Sequence, residues 1–377
     1  MEFTLKVIQI LIVVVTLQVT VAYLIYMERK VSAYMQGRIG PNRVGWRGLL
    51  QPIADGVKLF LKEDLIPAGS SKGIFLLAPA IAVFTTTLAF AVVPFGPTSP
   101  GDPDSFVIAP QMDVAILFVF AVGSLAVYAV ILGGWSSNNK YSFLGAIRST
   151  SQMISYEIPL GLSVIGVVIL ARSLNLETIV DAQADGYWFV CYQPVACLLF
   201  FTSALAESNR LPFDLPECEQ ELVGGYHTEY GAMKWAMFFF AEYTHMITVS
   251  LLTAVLFFGG WDLPWLVGKE TAGLPMVITK VGVLIAKAMC GIFLMMWLRW
   301  TLPRFRFDQL MALAWKVMIP LALGNLLITA LAMQYSGGVP QLWLMLLGNV
   351  ALLSVVVVRL QIMKPGSKAG ALVASRM

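Results

Sequence analysis

Nine stretches of this chain are long and apolar enough to cross a lipid bilayer. They are Val7–Tyr26, Gly73–Val93, Val114–Gly134, Ile154–Ala171, Tyr187–Ala206, Met233–Phe258, Met276–Leu298, Ala312–Met333 and Gln341–Val358. The hydrocarbon core of a bilayer is about 30 Å thick, and a helix crosses it in roughly 20 residues. The runs are uniformly apolar rather than alternating, which sets aside the strands of a membrane β-barrel. Composition agrees: 58% of the residues are hydrophobic, 12% are charged, and the mean hydropathy is +0.77. Soluble domains carry roughly 25% charge. A soluble enzyme, a disordered chain and a nucleic-acid-binding module are therefore excluded. The expected fold class is an all-α polytopic membrane protein of about nine transmembrane helices, forming one membrane domain over residues 1–377. The first run follows Lys6, is longer than a signal-peptide core and lacks a small-residue cleavage site, so it reads as a retained helix.

The loops between the runs alternate in charge. One set, 28–72, 135–153, 207–232, 299–311 and 359–377, holds 18 of the 25 basic residues. The positive-inside rule puts that set in the cytoplasm. Nine spans then leave the N-terminus outside and the C-terminus inside. The four cysteines, Cys191, Cys197, Cys218 and Cys290, form no C-x-x-C pair, and His227 and His245 are the only histidines. Neither a zinc or iron–sulfur site nor a disulfide framework is expected from so sparse a set.

Two cytoplasmic loops carry unusual chemistry. In the first, 28–72, glycines and Pro41 mark turns, and then Gly48–Lys62 takes helical spacing. Leu49, Ile53, Val57 and Phe60 form a stripe that Leu50 and Leu61 widen, with Lys58, Lys62 and Glu63 off it. This is an amphipathic helix suited to lie flat in the membrane interface. It reads either as a basic anchor or as a lateral gate for a lipid-soluble substrate, and Asp55, close to the stripe, favours the gate. The second loop, 207–232, sets Glu207, Asp214, Glu217, Glu219, Glu221 and Glu229 against Arg210. Its Leu211–Pro212–Phe213 and Leu222–Val223–Gly224–Gly225 stretches are too apolar for a solvated acidic face. Carboxyls crowded in a low dielectric have raised and coupled proton affinities, which suits proton exchange.

Charged residues also fall inside apolar runs. Glu157 lies near the start of the fourth, Glu242 within the sixth and Lys287 near the middle of the seventh. An ionisable group in the bilayer is a functional candidate by default. The plain structural alternative is a Glu242–Lys287 ion pair. Lys280, nearer a helix end, reads as a snorkelling side chain. Glu242-x-x-His245 has the spacing of a di-iron carboxylate motif, but such sites need two copies and there is one, so His245 reads as a buried, hydrogen-bonded residue.

Four long blocks carry a family resemblance: MERKVSAYMQGRIGPNRVGWRGLLQPIADGVKLFLKE, NKYSFLGAIRSTSQMISYEIPL, ALAESNRLPFDLPECEQELVGGYHTEY and LPRFRFDQLMALAWK, with FFFAEYTH beside them. They resemble the H-type membrane subunits of proton-pumping NADH-quinone oxidoreductase, respiratory complex I, a family whose mitochondrial member is NADH dehydrogenase subunit 1. The resemblance implies a membrane subunit at the joint with the peripheral arm, contacting the other membrane and peripheral subunits, the lipid bilayer and quinone. It implies a bacterial inner-membrane location and a quinone substrate, ubiquinone or menaquinone. NADH, FMN and Fe–S clusters are implied in partner subunits, with no metal or redox group here. Glu28, Arg29, Arg38, Asp55, Phe213, Asp214, Arg304 and Arg306 match positions around the family's quinone tunnel. Glu157, Glu207, Glu217, Glu219, Glu221 and Glu242 match its acidic, proton-relaying path. The family usually has eight spans, so Gln341–Val358 is an extra one. The resemblance extends to a homologous subunit of membrane-bound hydrogenases, over which the full basic first loop and the intact acidic loop favour the quinone enzyme. Composition alone also admits a secondary transporter, and a passive membrane anchor is a third reading. The absence of an inverted repeat argues against the transporter, and the cost of so many carboxyls against the anchor.

Overall fold

The computed structural model describes residues 2–96, 108–110, 112–184, 186–214, 223–263, 274–335 and 341–362. Among these residues the fold is helical throughout, with no β-strand. The helices are α1 (Glu2–Met35), α2 (Gln51–Leu61), α3 (Lys72–Leu88), α4 (Ala115–Ser136), α5 (Lys140–Ala171), α6 (Leu176–Ala184), α7 (Phe189–Tyr192), α8 (Pro194–Glu207), α9 (Ala232–Phe257), α10 (Leu274–Thr301), α11 (Phe307–Leu313), α12 (Ile319–Gln334) and α13 (Gln341–Ile362). Seven helical segments are long and apolar enough to cross a membrane. The expected fifth span is represented by the shorter apolar helix Pro194–Glu207, and the expected ninth falls on α13.

Sequence position and structural depth part company at several ends. α1 runs well past Tyr26, so Glu28 and Arg29 sit on a membrane helix rather than in a loop. α5 begins at Lys140, where the side chain of Asn139 accepts from the Tyr141 backbone N–H at 3.0 Å. That cap supplies one of the partners a helix start lacks. At roughly 1.5 Å per residue, its 32 residues exceed the bilayer core, so most of the expected 135–153 loop is helix. The expected 187–206 span is broken at Gln193, because Pro194 has no N–H to continue the ladder. Gln193 is buried, and its amide donates to the Gly166 carbonyl at 3.2 Å and to Thr329 Oγ1 at 2.8 Å. A similar effect precedes α12. Pro320 cannot donate to the carbonyl of Lys316, and the turn Ala314–Met318 widens into π geometry.

The bundle is built around α9, which packs on α1, α2, α3, α10 and α8. Of its most apolar window 78% is buried, against 17% for α1. A helix that is apolar on all sides belongs in the interior. Its buried hydroxyls are satisfied within the helix: Thr244, Thr248 and Thr253 donate to the carbonyls of Phe240, Thr244 and Val249 at 2.8, 3.0 and 2.7 Å. α4 and α5 meet tightly at Gly134, where an added Cβ would collide with that of Ala146. α2 has no buried residue; Ile53 and Phe60 are 60% and 73% exposed. α13 packs on α12, and Asn349 donates to the Tyr192 carbonyl at 3.2 Å.

Candidate functional site

Helix α1 delivers Glu28 into the interior, where it is 5% exposed. The Tyr243 hydroxyl of α9 donates to it at 2.6 Å, the Arg210 guanidinium lies 3.4 Å away, and Arg299 at the end of α10 bonds to its other oxygen. Arg210 also stacks over the Tyr243 ring at 4.1 Å. Burial alone would lower the proton affinity of Arg210, but the Tyr243 phenol and the Glu28 and Glu242 carboxyls hold it above its ordinary value, so it stays charged. Two arginines and one carboxylate form a cluster that would be costly to bury unpaired.

Beside this cluster, Phe213 stacks on Phe305 at 5.7 Å and tilts against Tyr156 at 5.6 Å. Arg304 pairs with buried Asp214 at 3.4 Å, and the Phe305 N–H donates to the Pro212 carbonyl at 3.3 Å. Gln152, fully buried on α5, donates to the carbonyls of Ala206 and Phe213 at 2.7 and 2.8 Å. The start of the acidic loop is thereby fixed between α5 and the segment after α10.

Deeper in the bundle, three carboxyls approach from three helices. Glu157 of α5 accepts from Ser124 of α4. Glu207, the last residue of α8, lies close enough to Glu157 for their charges to interact, and its Oε1 is 3.9 Å from His245 Nε2. Glu242, one turn before His245 on α9, accepts from the Tyr226 hydroxyl at 3.4 Å. Two cavities meet here. The larger, about 60 Å³, is lined by Glu207, Ser208, Asn209, Tyr226, Glu242 and His245 among others. The second, about 40 Å³, shares Glu207, His245, Thr86 and Ala126. A single water occupies roughly 10–15 Å³ on this measure, so each holds a few. Just before α9, burial pushes the Tyr230 phenol up to about 12, opposed by its bond with the Ser136 hydroxyl.

Other sequence candidates sit nearer the surface. Arg29 pairs with Asp55 of α2 at 2.6 Å, and the Gln51 amide also donates to Asp55 at 3.1 Å. Arg38 donates to Gln36 at 2.7 Å, and the Arg306 backbone N–H donates to Gln309 at 3.2 Å; both arginines are exposed and lie apart from the Glu28 cluster. Glu217, Glu219, Glu221 and Cys218 lie outside the described residues. The structure overturns the Glu242–Lys287 pair. Lys287 turns to the far end of α9 and donates to the carbonyls of Phe258, Gly260 and Asp262 at 2.6, 2.9 and 2.5 Å. Lys280 is 3% exposed, so it does not snorkel to the surface. His245 differs from expectation too, since its Nε2 has no hydrogen-bond partner among the described residues. Tyr243, Arg299, Ser124, Tyr226 and Gln152 join the site without having stood out in the sequence. A basic residue ending an apolar run, as Arg299 does, is the one signal that could have found any of them.

Apolar helices enclosing paired charges and carboxyl-lined cavities define an integral membrane protein with ionisable groups in its interior. The profile of a family described as NADH dehydrogenase matches residues 8–330. An NADH-quinone oxidoreductase H subunit of Cytophaga hutchinsonii, numbered 1 in that organism, is 49% identical over 333 residues, covering 87% of this chain and 96% of that protein. The corresponding H subunit of Geobacter sulfurreducens, also numbered 1, is 48% identical over 335 residues, covering 86% and 93%. The H subunit from Flavobacterium johnsoniae is 45% identical over 331 residues, covering 86% and 93%. The chain belongs to the NADH dehydrogenase family, among the H subunits of NADH-quinone oxidoreductase. Helix α13 lies beyond the matched region.

Proposed function

We propose that this chain forms a quinone-access route at the joint with the peripheral arm and links quinone reduction to proton translocation through buried carboxyls. One observation carries the reading: Glu207 and Glu242 line water-sized cavities, Glu157 lies within charge reach of Glu207, and Arg210 ties Glu242 electrostatically to the Glu28 cluster. Carboxyls in a dry interior exchange protons when they lie within hydrogen-bond or single-water reach. A charge change beside Glu28 reaches Glu242 through Arg210, which has no alternative protonation state with which to absorb it.

The substrate is a lipid-soluble quinone, ubiquinone or menaquinone. It enters past α2 and the end of α1, where Arg29, Asp55 and the exposed Ile53 and Phe60 face outward. Phe213, Asp214 and Arg304, with Arg38 and Arg306 at the surface, line the route onward. Glu217, Glu219 and Glu221 continue the acidic path from Glu207. NADH, FMN and Fe–S clusters belong to partner subunits of the complex. The chain sits in a bacterial inner membrane, N-terminus outside and C-terminus in the cytoplasm.

The test is NADH-driven quinone reduction and proton uptake in sealed vesicles, per assembled complex. Glu207→Gln keeps size and hydrogen bonding but cannot ionise, and should lower both by roughly tenfold or more. Glu207→Asp should retain part of each. Wild-type rates and proton yield in the Gln variant would remove Glu207 from the path.

A further inference from the structure

His245 has no evident structural task. Its Nε2 is shielded from solvent yet makes no hydrogen bond among the described residues. Leaving a buried polar atom unpaired is destabilising, so it calls for an explanation. The nearest acceptor is Glu207 Oε1 at 3.9 Å. That is too long for a hydrogen bond, and short enough for one water, or a small rotation of either side chain, to close.

The surroundings single this gap out. Glu207 and His245 are the only titratable residues shared by both cavities among the described residues; Glu242 and Tyr226 line one cavity only. Gly123 borders the second cavity, where a Cβ would stand 3.7 Å from Glu207 Oε1. Its neighbour Ser124 bonds to Glu157. On the other side, His245 follows Glu242 by one turn of α9, and Tyr226 bonds to Glu242. The ring thus stands between a carboxyl group facing Glu157 and one facing Tyr226. An imidazole has one nitrogen that accepts and one that donates, so it can take a proton on one side and release it on the other.

We propose that His245 is the proton-exchange partner of Glu207 and joins the two cavities into one path; the proposal rests on the proton-translocation reading above. In the step, protonated Glu207 gives its proton to a bridging water, which passes one of its own to the Nε2 lone pair. A glutamate anion, a water and an imidazolium result, with charge conserved. Release of a proton from the imidazolium towards the cavity lined by Glu242 restores the neutral ring. Glu207, not His245, remains the group continuous with the acidic loop.

The test compares His245→Gln, Glu207→Gln and wild type in the intact complex, in sealed vesicles, with proton uptake and quinone reduction measured across pH. His245→Gln should lower the proton yield by roughly tenfold and flatten its pH dependence, because glutamine cannot be protonated there. A wild-type yield and pH profile in His245→Gln, with loss in Glu207→Gln, overturns the proposal and leaves the underlying reading intact. A wild-type yield in Glu207→Gln overturns that reading itself. If His245→Gln lowers the amount of assembled complex, the assembled fraction of His245→Ala is measured with and without free imidazole. Recovery with imidazole supports a proton-transfer role, which packing alone would not produce, and no recovery contradicts it.

Discussion

Glu28 is held by partners 182, 215 and 271 residues away in sequence: Arg210, Tyr243 and Arg299. Removing its charge leaves buried Arg210 and half-buried Arg299 against a neutral side chain. Breaking a buried pair in this way typically costs about 3–5 kcal/mol. Glu28→Gln should therefore sharply reduce both the yield of assembled complex and its thermal unfolding temperature. Tyr243→Phe removes one hydrogen bond to a charged group, worth about 1.5–3 kcal/mol, and keeps the ring under Arg210, so its loss should be smaller. Equal stability of Glu28→Gln and wild type in thermal unfolding of the purified complex would contradict this account of the cluster. These contacts were not legible in the sequence because they are entirely non-local. The acidic loop drew attention to Glu207 and Asp214, and Arg210 stood out as its only base. Nothing along the chain paired that base with Glu28, and nothing joined Lys287 to three carbonyls at the far end of α9 rather than to Glu242.

At the scale of elements, hydropathy located the membrane helices well, because length and apolar composition are local properties. It missed where helices continue beyond the apolar run. α5 gains its early turns from the Asn139 cap and from contact with the segment around Tyr226, where Ser142 donates to the Tyr226 carbonyl at 2.9 Å. The amphipathic stripe of α2 was readable from spacing alone, and the structure leaves that stripe exposed. If the stripe forms the side of an entrance for a lipid tail, Ile53→Asp combined with Val57→Asp should slow reduction of long-tailed quinones more than short-tailed ones. The difference should grow with tail length, since burial is worth about 0.8 kcal/mol per CH₂. Equal slowing with both quinones, in fully assembled complex, would argue against the gate. The Arg29–Asp55 pair beside it is half in solvent, with Arg29 47% exposed. Asp55→Asn should shift stability by less than about 1 kcal/mol in the same unfolding measurement, which makes any effect on quinone kinetics attributable to the entrance.

Among the described residues the bundle is wrapped on α9, which contributes Tyr243 to the Glu28 cluster and Glu242 and His245 to the cavities. The basic residues are unequally divided between the two sets of loops, which sets the expected orientation. A reporter fused after Arg376 should appear on the cytoplasmic side, and one inserted between residues 96 and 111 on the opposite side; the reverse labelling would invert the assignment of the acidic loop. The central claim is that Glu207 changes protonation when quinone is reduced elsewhere in the complex. Infrared difference spectroscopy of the intact complex, recorded between oxidised and reduced quinone, reads this directly through the carboxyl C=O stretch. A carboxyl band should change on quinone reduction in wild type, shift in Glu207→Asp and vanish in Glu207→Gln. A carboxyl difference spectrum that is identical in wild type and Glu207→Gln would contradict the claim.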